Sequence, residues 1–127
     1  MSDAYVLVSG NKAEITLPAG VSVTVKAKTN SRSTQTVKVT GDAGTDLTFG
    51  GSGETNTVIG QTTLTGQTKV TALFQYGDGG AAKPSSLNSG GPYAIGSYNL
   101  LVIVAENGDD SDYNDAILEF GWYTPKA

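Results

Sequence analysis

The chain has 127 residues, of which 38% are apolar and 16% charged, so it can bury a core and is not expected to be disordered by charge. It contains no cysteine and no histidine, which excludes disulfide bonds, thiol chemistry and the usual histidine-dependent zinc sites and catalytic triads. The net charge is −4 and no basic stripe is present, so nucleic acid is not expected as a partner. Residues 1–127 are predicted to form one domain.

No apolar run near the N-terminus or elsewhere approaches the ~20 residues that a membrane-spanning helix needs, so membrane insertion is not expected. The run from Tyr5 to Val8 is too short for the apolar core of a signal peptide, and Asp3 stands where a basic flank is expected. We therefore expect a protein that is made as a soluble cytoplasmic product. Action outside the cell or at its surface would require an export route that the sequence does not show.

Apolar and polar residues alternate with a period of two through most of the chain, which is typical of half-buried β-strands. Three alternating sets are predicted to face inward, and they comprise Val21, Val23, Val25 and Ala27; Val70, Ala72, Phe74 and Tyr76; and Ala116, Leu118, Phe120 and Trp122. The continuous apolar run from Leu100 to Ala105 predicts a central strand. Glycine-rich clusters at 41–44, 50–53, 77–80 and 89–92 are interpreted as turns, so the pattern predicts an antiparallel sandwich or barrel.

Carboxylates are concentrated between the last two predicted strands. Five of the twelve acidic residues lie in residues 106–115, a window without a base: Glu106, Asp109, Asp110, Asp112 and Asp115. Closely spaced oxygen ligands suit Ca²⁺, which takes six to eight oxygens, and the carboxylates would repel one another without a cation. An EF-hand is excluded because Asp115 and Gly121 occupy its glycine and glutamate positions. A solvated acidic turn remains the alternative.

Two calcium ions fit the segment better than one. Asp112 and Asp115 can share oxygens between two ions, with Glu106 and Asp110 on one side and Asn114 on the other, so that four carboxylates balance two divalent charges. An exposed calcium pair would bind polar ligands with vicinal hydroxyls. A calcium-stabilised structural or adhesive module that binds no sugar remains open. A glycosidase is disfavoured because the metal would occupy the carboxylates that it needs, and no enzymatic activity is expected.

The acidic segment also resembles a known signature. Glu106-Asn107-Gly108-Asp109-Asp110-Ser111-Asp112-Tyr113-Asn114-Asp115, followed by an apolar strand ending in Trp122, resembles the bacterial two-calcium fucose/mannose-binding lectins. Leu17-Pro18-Ala19 and the run Thr29-Asn30-Ser31-Arg32-Ser33-Thr34-Gln35-Thr36-Val37 are similar to that family's first strand pair and specificity loop. The resemblance covers about residues 13 to 124. It implies an all-β, antiparallel β-sandwich of about nine strands, of Greek-key type, that binds fucose- or mannose-type glycans through two Ca²⁺ ions.

The resemblance also assigns roles to individual residues. The implied metal ligands are Asn30, Glu106, Asp110, Asp112, Asn114 and Asp115, and the implied sugar contacts are Ser31, Arg32, Ser33, Asn107, Asp110, Asp112 and Asp115. The part of this run that lies beside the metals is Ser31-Arg32-Ser33, and the resemblance implies that a hydroxyl at its first position, here Ser31, favours fucose, whereas alanine there favours mannose. Arg32 either donates to a sugar oxygen or lies in solvent.

Both ends of the chain depart from the family pattern. The resemblance implies a homodimer or a higher homo-oligomer, in which a C-terminal glycine reaches the partner's calcium. Here the chain continues past Trp122 with Tyr123-Thr124-Pro125-Lys126-Ala127 and has no such glycine. Residues 1–12 precede the family's usual start and are expected to form either an extra N-terminal strand or a tail.

Overall fold

The computed structural model describes residues 4–42, 44–65, 68–77, 82–106 and 115–124. These residues form nine antiparallel strands, with bounds β1 Tyr5–Ser9, β2 Lys12–Thr16, β3 Ser22–Gly41, β4 Asp46–Thr65, β5 Lys69–Gly77, β6 Lys83–Pro84, β7 Ser86–Ile95, β8 Tyr98–Glu106 and β9 Ala116–Tyr123. The prediction of an all-β antiparallel sandwich of about nine strands is confirmed. In the described part of the chain, no helix is long and apolar enough to cross a membrane.

The long strand β3 connects the two layers of the sandwich. The strand order is β1-β2-β5-β3-β9-β8-β7, with β4 paired along β3 and β6 paired with β5. The first part of β3 pairs with β9, from Thr24 to Thr29, and its last part pairs with β5, from Thr34 to Gly41. Residues 30–33, called the crossing segment below, lie where β3 passes from one layer to the other. The end strands β1 and β7 lie close to each other, so the structure is nearly closed.

Most of the inward-facing residues that the alternation predicts are buried, whereas Val21 and Tyr76, at the ends of their sets, are half-buried. The side chains of β3 between Val23 and Ala27, and those of β9 from Ala116 to Trp122, alternate between core and outer face, with Trp122 only 2% exposed. Phe74 and Phe120 are among the largest fully buried side chains. Each such side chain contributes about 1.5–3 kcal/mol on burial, so the core holds the strand ends around the acidic segment in place.

Two of the glycine clusters interpreted as turns lie inside strands instead. Residues 50–53 belong to β4 and residues 89–92 to β7, each beside a register irregularity. A Cβ at Gly51 would lie 2.9 Å from Cγ2 of Ile59, and one at Gly91, where φ is +95°, would lie 2.6 Å from the carbonyl oxygen of Leu100. These glycines therefore allow the neighbouring strand or side chain to approach closely at a β-bulge. Besides turns, β-bulges are the positions where glycine is common in strands.

Candidate functional site

The acidic segment is held at both ends by adjacent strands. Glu106 is the last residue of β8, and Asp115 immediately precedes β9. Both residues are buried, at 4% and 3% exposure, and the Asp115 N–H donates to the carbonyl oxygen of Ala105 at 3.1 Å. Glu106 and Asp115 are therefore next in sequence to the last residue pair, Ala105 and Ala116, at the same end of the β8–β9 ladder. The other predicted metal ligands, Asp110, Asp112 and Asn114, and the predicted sugar contact Asn107 lie outside the described residues.

The crossing segment of β3 meets this end of the ladder. The Thr29 hydroxyl donates to the carbonyl oxygen of Asp115 at 2.6 Å, and the Asn30 N–H donates to the same oxygen at 3.3 Å. The structure thus brings Asn30 together with Asp115 although 84 residues separate them in the sequence. Thr29 is a site residue that sequence analysis missed. It could have been found, because Thr29 is a polar residue that continues the inward-facing alternation one step beyond Ala27.

The crossing segment forms a tight bend whose side chains point in different directions. Ser31 is 7% exposed, and its Oγ accepts a hydrogen bond from the N–H of Ser33 at 3.1 Å. The carbonyl oxygen of Ser33 in turn accepts from Nε2 of the buried Gln35 at 3.2 Å. A serine hydroxyl that accepts from the backbone can still donate its own proton elsewhere. The Ser31 side chain is therefore held within the crossing segment by the Ser33 N–H.

Arg32 lies on the outside of the bend. Its side chain is 87% exposed, and its Nε donates to Oε2 of Glu54 on β4 at 3.1 Å. Of the two alternatives for Arg32, the structure shows an exposed side chain with an acidic partner that sequence analysis did not identify. An ion pair this exposed stabilises the fold very little, so it acts on the position of the guanidinium.

A second β4 residue contacts the crossing segment. The backbone N–H of Asn56 donates to Oδ1 of Asn30 at 2.6 Å, and Nδ2 of Asn30 lies 3.4 Å from Oδ1 of Asn56. Sequence analysis missed Asn56, which stands in a polar run that gives no periodic signal. The side-chain amide of Asn30 is therefore oriented by β4, while its backbone is held by Asp115.

The donor set that the structure describes suits a hard divalent cation. Within residues 4–42, 44–65, 68–77, 82–106 and 115–124, no group of three or more acidic side chains is close enough to hold a metal. The two carboxylates of Glu106 and Asp115 and the nearby Asn30 nevertheless supply the oxygen ligands that Ca²⁺ prefers. Further predicted carboxylates lie in residues 107–114, between these two ends. The residues present therefore fit calcium.

Comparisons with known proteins agree on one family. The model of the family described as Fucose-binding lectin II (PA-IIL) matches residues 15–124, a range that includes every predicted site residue. A Ralstonia solanacearum high-affinity mannose-binding lectin is 33% identical, with a TM-score of 0.69 over 90% of this chain and 96% of that one. The Chromobacterium violaceum lectin CV2L, solved in complex with alpha-methyl-fucoside, is 29% identical, with a TM-score of 0.71 over 94% of this chain and 100% of that one.

A third similar structure extends over the whole chain. The C-terminal domain of the BC2L-C lectin from Burkholderia cenocepacia is 25% identical, with a TM-score of 0.70 over 100% of both chains. A comparison with curated proteins finds no match. The family model and the similar structures are all lectins, so the resemblance that the acidic segment and the specificity loop indicated is confirmed.

Proposed function

Because this chain belongs to the Fucose-binding lectin II (PA-IIL) family, we propose that it is a calcium-dependent lectin for fucose- and mannose-type monosaccharides. The observation that carries the proposal is the junction at Asp115. Its carbonyl oxygen accepts hydrogen bonds from Thr29 and Asn30, which supports a single site shared by the specificity loop and the acidic segment. Two structurally similar lectins support the sugar class, since one is described as mannose-binding and the other was solved with a fucoside.

We assign the predicted ligands to two adjacent Ca²⁺ ions. Glu106 and Asp110 would hold one ion, Asn30 and Asn114 the other, and Asp112 and Asp115 would bridge both. When bound, the ions supply positive charge and open coordination positions that vicinal hydroxyls of a pyranose can fill in place of water. What supports this assignment is the position of Glu106 and Asp115, which lie at the same end of the β8–β9 ladder and carry the oxygen ligands that Ca²⁺ prefers.

The remaining residues of the site orient the sugar. Ser31 follows Asn30, whose N–H donates to Asp115, and we assign the Ser31 side chain to a sugar contact beside the metal site. Arg32 is directed outward by Glu54 and would therefore contact the outer side of the sugar or a second residue of a glycan. Asn107 and Asp110 complete the proposed set of sugar contacts, together with Asp112 and Asp115.

Calorimetry with monosaccharides tests the proposal directly. Methyl α-fucoside and methyl α-mannoside are expected to bind in calcium and to lose binding in EDTA, whereas methyl α-galactoside should not bind. Glu106→Ala should weaken binding of both calcium and sugar, and Glu14→Ala, an exposed change on β2, is the matched control. Calcium binding that raises the melting temperature without any sugar binding would instead identify a calcium-stabilised structural module.

A further inference from the structure

The register between β3 and β4 changes at the crossing segment. Thr29 pairs with Thr57, but Ser31 pairs with Gly53, so a single intervening residue of β3, Asn30, opposes three residues of β4. Bulges of this kind bend a strand and redirect the side chains around them. Here the extra β4 residues are placed directly beside the loop that our proposed function assigns to sugar recognition.

Asn56, the last of those three residues, has an unusual backbone conformation. Its φ is +54°, and among the described residues it is the only one other than glycine with a positive φ. Asparagine adopts this left-handed conformation more readily than other residues with a side chain. Residues other than glycine that adopt this conformation often occur at functional sites, where the strained backbone orients a particular group.

The group that Asn56 aims is its backbone N–H. That N–H donates to Oδ1 of Asn30 at 2.6 Å, and a backbone N–H can only donate, so the atom that faces it must be the oxygen of the Asn30 amide. Nδ2 of Asn30 is then directed toward Oδ1 of Asn56. Asn30 itself donates its N–H to Asp115. A continuous series of hydrogen bonds therefore runs from Asn56 through Asn30 to the end of the acidic segment.

We propose that Asn56 is a positioning residue of the sugar site, which acts through Asn30 on the specificity loop and on calcium. This inference rests on the proposed lectin function. The left-handed backbone is needed so that the N–H reaches Asn30, and the Asn56 side chain holds the other end of the same amide. A change that removes both features lets Asn30 rotate and loosens the bend at Ser31, although Asn56 is not one of the proposed sugar contacts.

Three substitutions at Asn56 separate the backbone contribution from that of the side chain. Asn56→Asp keeps an acceptor at Oδ1 and tolerates the left-handed conformation; Asn56→Gly keeps the conformation and the N–H but loses the acceptor; Asn56→Ala loses the acceptor and disfavours the conformation. Calorimetry should measure the Kd of methyl α-fucoside in saturating calcium and, separately, the Kd of calcium alone. Asn88→Ala, an exposed change on β7, is the control.

We expect sugar affinity to fall in the order Asn56→Asp, Asn56→Gly, Asn56→Ala. Asn56→Asp should stay within about two-fold of the wild type, Asn56→Gly should bind the fucoside about two- to three-fold more weakly, and Asn56→Ala about five- to ten-fold more weakly, as expected for one to two lost hydrogen bonds. Calcium affinity should follow the same order. Asn88→Ala should match the wild type. If Asn56→Ala does not fold, the difference between the Asp and Gly variants still decides the question.

Equal fucoside and calcium affinities in all the folded variants, with only the melting temperature lowered, would show that Asn56 has a structural role and would overturn the inference. Failure of the proposed function gives a different result, because the wild type itself would then bind no fucoside or mannoside in calcium. In that case only the calcium titrations test the role of Asn56, and an unchanged Kd for calcium in Asn56→Ala overturns the positioning role as well.

Discussion

The hydrogen bond from Thr29 to Asp115 can be tested by replacing the hydroxyl with a methyl group. Thr29 is 0% exposed, and Thr29→Val keeps the β-branched shape that suits β3 while removing the donor. A buried hydrogen bond contributes about 0.5–1.5 kcal/mol net, and an acceptor left without a partner costs about 1–3 kcal/mol. The Asp115 carbonyl keeps the N–H of Asn30, so we expect a loss near the lower end of these values, about 1 kcal/mol.

For a domain of this size, a loss of about 1 kcal/mol lowers the melting temperature by about 3–5 °C. Urea unfolding in EDTA should give the free-energy difference without a contribution from calcium binding. The same titrations in calcium should show a larger difference in the free energy of unfolding between Thr29→Val and the wild type. Asp115 is a proposed bridging ligand, and calcium that binds only the folded state adds its own stabilisation.

Thr40→Val is the matched control, since Thr40 is an exposed residue on the same strand. It should change the free energy of unfolding by less than about 0.5 kcal/mol, as surface substitutions usually do. Equal stability of Thr29→Val and Thr40→Val, with and without calcium, would refute the assignment of Asp115 as the junction between the specificity loop and the acidic segment.

Three further predictions concern specificity, pH and assembly. Ser31→Ala should narrow or invert the preference for fucoside over mannoside by about 1 kcal/mol, and calorimetry giving an unchanged ratio would contradict it. The side-chain hydrogen bond from Thr68 and a backbone hydrogen bond from Lys69 lower the pKa of Asp42 below its ordinary value of 3.8. The ionised Asp42 therefore stabilises the fold above pH 3.8, and this stabilisation is lost as the pH falls through the lower pKa of the folded state. An NMR titration should show Thr68→Val raising the pKa of Asp42. We expect a homodimer in sedimentation at tens of micromolar, and only monomer in the wild type would reject it.

The strand faces could be predicted because they depend on local alternation. A period of two fixes which side chains of β3 and β9 face the core, and burial then follows from hydrophobicity alone. The role of each glycine cluster could not be predicted in this way, because turns and β-bulges both favour glycine. They differ only in whether residues of a neighbouring strand pair with the cluster. Gly60 shows the difference, because its missing side chain leaves space for the ring of Phe49 inside the same strand.

The candidate site was only partly predictable for a related reason. The spacing of carboxylates in residues 106–115 indicates a cation site without any knowledge of the fold. The association of Asn30 with Asp115 depends on the β3–β9 pairing, which no local pattern specifies, so it came from the family resemblance. The contacts from β4 were not found at all. Asn56 and Glu54 reach the site through a shift in the β3–β4 register, which becomes visible only when both strands are placed.

The site lies where the regular pairing of β3 is interrupted, and this position has a physical reason. In a continuous ladder, the backbone N–H and carbonyl groups of a central strand are used by its neighbours. Between Thr29 and Gln35 the register of β3 with β4 shifts, and β3 changes its other partner from β9 to β5. The backbone N–H of Asn30 can therefore bond to Asp115 instead of a regular strand partner, while the side chains of Asn30 and Arg32 bond to β4. The same core that buries Glu106 and Asp115 thus places them at the point where the pairing of β3 changes, which is the segment that we propose recognises the sugar.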